Sequence, residues 1–264
     1  MKILTTLLFA LFLGESLLAQ DYAVKQLEES PRHHEWVKIE SNKRMLENFV
    51  VYPESEDEST VVIVIHENRG LNDWARSFAD QLAEKGFITI APDLLTDDKG
   101  MKTSDYERSD AARSALYELN PDAITSDLMA VLEYAKNMDA SNGKVAVVGF
   151  CWGGSQTFRF ATNAGDAIQA AFVFYGTGPG DAEPYADIKA PVYGFYGGND
   201  NRVNSTIAFS EEQMDAHNLS YEYVIYEGAG HAFMRRGDDP EADGPNKTAR
   251  DRAFARLSNL LSEF

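Results

Sequence analysis

Apolar residues recur along this chain in two alternating rhythms. Short, continuous apolar runs, rich in β-branched residues, occupy 61–65, 87–91, 144–148, 170–175, 191–196 and 221–226. Runs of this kind mark strands buried on both faces of a sheet. Between them, apolar residues fall three and four apart, which is the helical signal. Leu71, Trp74, Ala75, Phe78, Ala79 and Leu82 share one face of a helix over 71–85. Ile124, Leu128, Val131, Leu132 and Ala135 do so over 121–138, and Ala249, Ala253, Phe254, Leu257 and Leu261 over 247–261. Two further helices are expected over 154–162 and 205–217. Alternation over 35–39 and 47–52 predicts an edge hairpin, followed by an acidic turn at 54–59. Residues 20–32 read as a loose polar arm. Residues 95–120 read as a polar excursion with a short helix near 110–119.

Strands that alternate with helices predict an α/β fold with a mostly parallel central sheet covered by helices on both faces. No internal repeat or linker divides the chain, so residues 20–264 are expected to form a single domain. Ligands of such open sheets bind outside the carboxyl ends of the strands, and the candidate residues below all follow strands.

The first residues carry a different pattern. Lys2 precedes an apolar stretch at 3–13 that is too short to span a bilayer, and Ser16-Leu17-Leu18-Ala19 then offers a small residue before a cut. Residues 1–19 are therefore expected to be a signal peptide, with the mature chain starting near Gln20 in the periplasm or outside the cell. The chain has 264 residues, 44% of them hydrophobic, and a net charge of -18. That surface repels nucleic acid and anionic membranes, so neither is expected as a partner. A bound anion would need a local cation. No cofactor is called for. His33-His34-Glu35 does not read as a metal site, because adjacent residues of a strand point to opposite sides.

Gly149-Phe150-Cys151-Trp152-Gly153 holds the only cysteine, between a predicted strand and a predicted helix. Glycines two before and two after a nucleophilic side chain, on a sharp strand-to-helix turn, make a nucleophile elbow. The dipole of the following helix points at the sulfur and favours thiolate. Asp200 follows the strand over 191–196, and His231 follows that over 221–226. The order nucleophile, acid, histidine is that of α/β-hydrolases. Sulfur would attack a carbonyl, imidazole would carry the proton, and the carboxylate would fix the imidazole tautomer. Taken singly, each has an ordinary alternative: an inert buried thiol, a helix cap, a loop histidine. His66-Glu67-Asn68-Arg69-Gly70 follows the strand over 61–65, the position of the oxyanion loop. Backbone N–H groups of Asn68 and Trp152 are the expected donors. Glu67 would point at the cysteine, or else pair with Arg69 or Arg235.

The sequence resembles the dienelactone hydrolase family. The matching stretches are His-Glu-Asn-Arg-Gly-Leu-Asn at 66–72, Ala-Pro-Asp-Leu at 91–94, Gly-Phe-Cys-Trp-Gly-Gly at 149–154, Tyr-Gly-Gly-Asn-Asp at 196–200 and Gly-His-Ala-Phe at 230–233. Similarity runs from about residue 30 to the C-terminus. The resemblance implies the α/β-hydrolase fold, a Cys151–Asp200–His231 triad and cysteine activation governed by Glu67, which pairs with the resting thiol until substrate displaces it. It also implies a substrate carboxylate held by two arginines. Arg235 fills one place; the other, shortly after Ala-Pro-Asp-Leu, has no arginine, leaving Lys99 and Lys102 as nearby cations. Arg69 and Tyr175 join Arg235 as expected substrate-binding residues.

The function expected is hydrolysis of a small-molecule carboxylic ester or lactone. An amidase or peptidase on the same fold, and a binding protein that has kept the fold without catalysis, are the alternatives. The oligomeric state is not readable from the residues.

Overall fold

The computed structural model describes residues 15–264, with side chains from residue 21 onward. Most of the expected signal peptide lies outside the described residues. In chain order the elements are α1 (Glu15–Glu29), β1 (His34–Ser41), β2 (Arg44–Val51), β3 (Ser59–Ile65), α2 (Asp73–Ala83), β4 (Ile88–Pro92), α3 (Ser109–Glu118), α4 (Pro121–Lys136), β5 (Ser141–Phe150), α5 (Trp152–Ala164), β6 (Ala171–Phe174), β7 (Val192–Gly197), α6 (Asn201–Asn204), α7 (Ile207–Ala216), β8 (Tyr221–Tyr226), α8 (Phe233–Arg236) and α9 (Gly244–Leu261). All eight strands join one sheet in the order β1-β2-β4-β3-β5-β6-β7-β8. The β1–β2 and β2–β4 pairs are antiparallel, and the remaining pairs are parallel. This is the α/β-hydrolase arrangement.

The burial explains the sequence pattern. Every residue of β3 is buried, because α4 and α5 cover one face of the sheet and α2 and α9 the other. Ile63, Ile65, Val145 and Val147 feed one core with Leu128, Val131 and Phe158. Val62, Val64, Ala146 and Val148 feed the other with Trp74, Phe78, Phe254 and Leu257. Each such side chain is worth about 1.5–3 kcal/mol when fully buried. Asn72 caps α2 by accepting from the Ala75 N–H, and Asn120 caps α4 by accepting from Asp122 and Ala123.

One expectation fails. Residues 20–32 are not a loose arm: α1 extends to Glu29 and lies along α2. Ala23 is fully buried, and Tyr22 and Leu27 pack on the second core. The segment that follows is tied down through Asp80 of α2. That carboxylate, fully buried, accepts from Gln26, Ser30, Arg32 and His34. Burial pushes the Asp80 carboxyl up, but the bonds from Arg32, Ser30 and His34 outweigh it and hold it below the usual range. His34 thus points inward, while His33 faces Glu35 on the exposed side. The helix expected over 205–217 is α7. A short helix that the apolar spacing did not mark, α6, precedes it, starting at the Asp200 cap and ending at Asn204, and Ser205-Thr206 separate the two.

Candidate active site

β5 ends at Phe150 and α5 begins at Trp152, so one residue makes the whole turn. Cys151 takes φ 55° and ψ -114° to do so, a strained backbone for a residue with a Cβ. The flanking glycines permit it by close approach. A Cβ on Gly149 would lie 2.2 Å from the Gly153 carbonyl oxygen, and one on Gly153 would lie 2.3 Å from that of His66. The Cys151 N–H is held by the Phe174 carbonyl at 3.0 Å, so the turn hangs on β6.

Asp200 and His231 arrive from the ends of β7 and β8. His231 Nε2 lies 3.1 Å from Cys151 Sγ. His231 Nδ1 lies 2.5 Å from Asp200 Oδ2. A carboxylate only accepts, so Nδ1–H donates to Asp200 and leaves Nε2 to receive the thiol proton. The Asp200 side chain is almost buried, and the imidazole is about one-third exposed at 31%. The backbone N–H groups of Trp152 and Asn68 lie close enough to the sulfur to favour its charged form. The ring of Tyr175 meets that of His231 edge-on, with centroids 5.1 Å apart.

Glu67 is not bonded to the thiol, contrary to what the resemblance implied. Its carboxylate accepts from Arg235 Nε at 2.8 Å and from the Tyr175 hydroxyl at 3.1 Å. The geometry favours this: Ala232, at φ 59°, turns the chain into α8 and brings Arg235 back over the pocket. Glu67 still acts on the sulfur through space. Burial first, and the Glu67 charge second, push the Cys151 thiol up to about 11, against the pull of the two backbone N–H groups and Arg202. The thiol therefore sits above its ordinary value even beside the first turn of α5. Tyr175, expected to bind substrate, is fully buried and serves Glu67 and His231 instead. Burial and the nearby Glu67 charge raise its hydroxyl well above the ordinary value.

A cavity of about 240 Å³ opens over Cys151 and His231, walled by Glu67, Asn68, Arg69, Arg113 and Arg235 among others. Arg113 comes from α3 and was missed in the sequence. Lys99 and Lys102 do not line the cavity. Burial and the neighbouring guanidiniums of Arg235 and Arg113 hold Arg69 below its ordinary pKa, with Glu67 opposing them. Tyr117, also on α3, stands at the rim: its hydroxyl lies 3.5 Å from the Asn68 side-chain nitrogen, and Arg113 sits over its ring. A larger cleft of about 570 Å³ runs between Ser155 and Asp187, with neither Cys151 nor His231 on its wall. Among the described residues no cluster of three metal-ligating side chains occurs, and no helix is long and apolar enough to cross a membrane.

The model of the dienelactone hydrolase family matches residues 46–264. The chain belongs to the dienelactone hydrolase family. It is a hydrolase of the carboxylic ester or lactone class. An inferred carboxymethylenebutenolidase of Escherichia coli O157:H7 is 30% identical over 191 residues, covering 68% of this chain and 69% of that protein. One of Saccharolobus solfataricus is 27% identical over 255 residues, covering 84% and 95%. Among solved structures, an inferred dienelactone hydrolase from Klebsiella pneumoniae superposes with a TM-score of 0.77 at 22% identity, covering 88% of this chain and 99% of that one. The dienelactone hydrolase-like promiscuous phosphotriesterase P91 from metagenomic libraries superposes with a TM-score of 0.73 at 23% identity, covering 88% and 98%. At these identities the superpositions speak for the fold.

Proposed function

We propose that this chain hydrolyses small carboxylic esters or lactones that carry an anionic group, using Cys151 as nucleophile, His231 as base and acid, and Asp200 as the group that orients His231. The observation that carries the reading is the unbroken line from Sγ through the imidazole to the carboxylate.

The chemistry follows from those positions. A thiol at about 11 is ionised in only about one molecule in 10⁴ at neutral pH, so attack needs a base. As sulfur bonds to the carbonyl carbon, the thiol proton passes to His231 Nε2. The carbonyl oxygen becomes an oxyanion and takes the Asn68 and Trp152 N–H groups, each worth about 3 kcal/mol in the transition state. When the carbon–oxygen bond breaks, the leaving alkoxide takes the proton from His231 and a thioester remains. In a lactone that alkoxide stays tethered to the acyl group. A water molecule then gives a proton to His231 and attacks the thioester, and Cys151 leaves and recovers the proton. The products are an acid and an alcohol, or a hydroxy acid.

Three arginines at one cavity in a chain of net charge -18 support an anionic substrate. Arg113 and Arg69 have no hydrogen-bonded partner for their guanidiniums among the described residues. An incoming anion would also compete with Glu67 for Arg235. The test is a panel of neutral and acidic aryl esters and lactones, run on wild type and Cys151→Ala. A loss of about 10³-fold or more in kcat is expected for the variant; retention of most activity would remove Cys151 from the reaction.

We also propose export to the periplasm or beyond, from the apolar stretch at 3–13. The expected cut after Ala19 falls within α1, so cleavage leaves the α1 residues that pack on α2. N-terminal sequencing of the protein from the extracytoplasmic fraction tests this. A chain that still begins at Met1 and stays in the cytoplasm contradicts it.

A further inference from the structure

His66 ends the strand run of β3 and is fully buried, one residue before Glu67. Its ring meets the Trp152 indole and the peptide that joins Glu67 to Asn68. Nδ1 lies 2.8 Å from the Glu67 carbonyl oxygen. A carbonyl only accepts, so Nδ1 carries the proton. The Glu67 carbonyl and the Asn68 N–H are the two ends of one planar peptide. Whatever holds that carbonyl also sets the direction of the Asn68 N–H. Among the described residues the other donor to it is the Gly70 N–H, which is longer at 3.3 Å. On its face, the imidazole stacks on the Trp152 indole, with centroids 5.6 Å apart and planes 10° from parallel. The missing Cβ of Gly153 lets the His66 carbonyl approach the first turn of α5.

We infer that His66 is a positioning residue for the oxyanion hole: its Nδ1–H pins the Glu67–Asn68 peptide so that the Asn68 N–H faces the reacting carbonyl oxygen. The inference rests on the catalytic role proposed above for Cys151.

The tautomer is locked by its surroundings. Nε2 is buried and has no partner among the described residues. Moving the proton to Nε2 would leave an unpaired buried N–H and set two lone pairs, of Nδ1 and of the carbonyl, against each other. Charging the ring would also leave Nε2–H unpaired. Burial pushes the imidazole below its ordinary pKa and outweighs the opposing charge of Asp93. The bond also polarises the peptide, which makes the Asn68 N–H a better donor.

The test compares His66→Phe, which keeps a stacking ring and loses the donor, with His66→Asn, whose amide can reach the same carbonyl. Removal of one oxyanion donor costs about 10²–10³ in kcat, and a misdirected donor should cost about 10- to 100-fold. For a neutral p-nitrophenyl ester, His66→Phe should lose that factor in kcat with KM within about twofold. An aldehyde or trifluoromethyl ketone inhibitor, which presents the same oxyanion, should weaken by the same factor as kcat/KM. Alkylation of Cys151 by iodoacetamide builds no oxyanion and should stay within about twofold of wild type. His66→Asn should recover at least tenfold of the loss. Unchanged kcat in His66→Phe, a parallel fall of alkylation rate and melting temperature, or an Asn variant as weak as the Phe variant would each overturn the inference. The imidazole ¹⁵N spectrum of the wild-type protein at neutral pH decides independently of any variant. A neutral Nδ1–H ring supports the inference, and an Nε2–H ring or an imidazolium overturns it. If the catalytic reading itself fails, Cys151→Ala will hydrolyse the ester as wild type does, whatever the His66 variants show.

Discussion

Glu67→Gln isolates the charge that keeps the Cys151 thiol protonated. Glutamine has nearly the same shape: its one amide oxygen can keep accepting from Arg235, the partner of Glu67 Oε2 at 2.8 Å, while its NH2 takes the place of Oε1 and donates to the Tyr175 hydroxyl, which must turn to accept. The negative charge is lost, and the direction of the Tyr175 bond reverses. The thiol stands at about 11, raised from 9.0 by burial first and Glu67 second. Burial persists in the variant, so the thiol should remain above its ordinary value. A fall of about 1 in pKa would raise the thiolate fraction about tenfold below that pKa. Each thiolate would be about threefold less nucleophilic at a Brønsted slope of 0.4–0.5, leaving alkylation about three- to fourfold faster. The unneutralised Arg235 acts in the same direction. The assay is the second-order rate of iodoacetamide alkylation from about pH 6 to about pH 10, with Cys151→Ala as the blank. The variant should also lose activity faster in dilute peroxide, because thiolate is the oxidised form. If the two rate–pH profiles coincide, Glu67 is not coupled to the sulfur, and its ion pair with Arg235 is only structural.

Arg113→Ala should raise KM for an acidic ester about 10- to 100-fold, the worth of one charge-assisted hydrogen bond, and leave the neutral ester unchanged. Arg235→Ala should do the same and also slow Cys151 alkylation, since it frees the Glu67 charge to act on the sulfur; equal KM effects on both esters would contradict the anion-site assignment. Arg32→Ala removes the bidentate partner of a buried carboxylate and should destabilise the fold by about 3–5 kcal/mol at pH 7. The held-down Asp80 carboxyl contributes stability that is present above the ordinary carboxylate pKa and lost as pH falls through its lower folded value. The deficit of the variant, measured by urea unfolding, should therefore hold down to about pH 4 and shrink on acidification below it, and a pH-independent deficit would contradict the charge account. Gly149→Ala drives a Cβ to within 2.2 Å of the Gly153 carbonyl and should cost at least about 1–3 kcal/mol in thermal melts together with most of the activity; a variant of wild-type stability would show that the elbow can relax.

The strand and helix rhythm was legible because the central strands are buried on both faces, so β3 reads as five consecutive β-branched residues. α1 was not legible. Among its described side chains, the buried face carries Tyr22, Ala23 and Leu27 as apolar residues, and Gln26 adds bonds to Ser77, Asp80 and Gln81. No apolar periodicity can report a contact made by a glutamine. At the site, Cys151, Asp200 and His231 were placeable because each directly follows a strand, where an open sheet gathers its ligands. Arg113 lies in the polar excursion, whose weak periodicity does not tell which side of α3 faces the cavity. Arg235 was one of the two ion-pair partners the sequence offered Glu67; the choice of that pair over the thiol, and the burial of Tyr175, depend on two positive-φ turns, at Tyr175 and Ala232. Those angles follow from tertiary packing and leave no mark in a spacing pattern.

The central claim is that Cys151 carries the acyl group, and the most direct test is to catch it there. Wild-type protein mixed with an activated p-nitrophenyl ester at low temperature and quenched in acid within the burst should gain the mass of the acyl group. Digestion should place that mass on the peptide containing Gly149-Phe150-Cys151-Trp152-Gly153, and hydroxylamine should remove it, as it does a thioester. Cys151→Ala should show no burst and no added mass. An acyl group on any other residue, or hydrolysis at the wild-type rate without covalent capture in Cys151→Ala, would contradict the account.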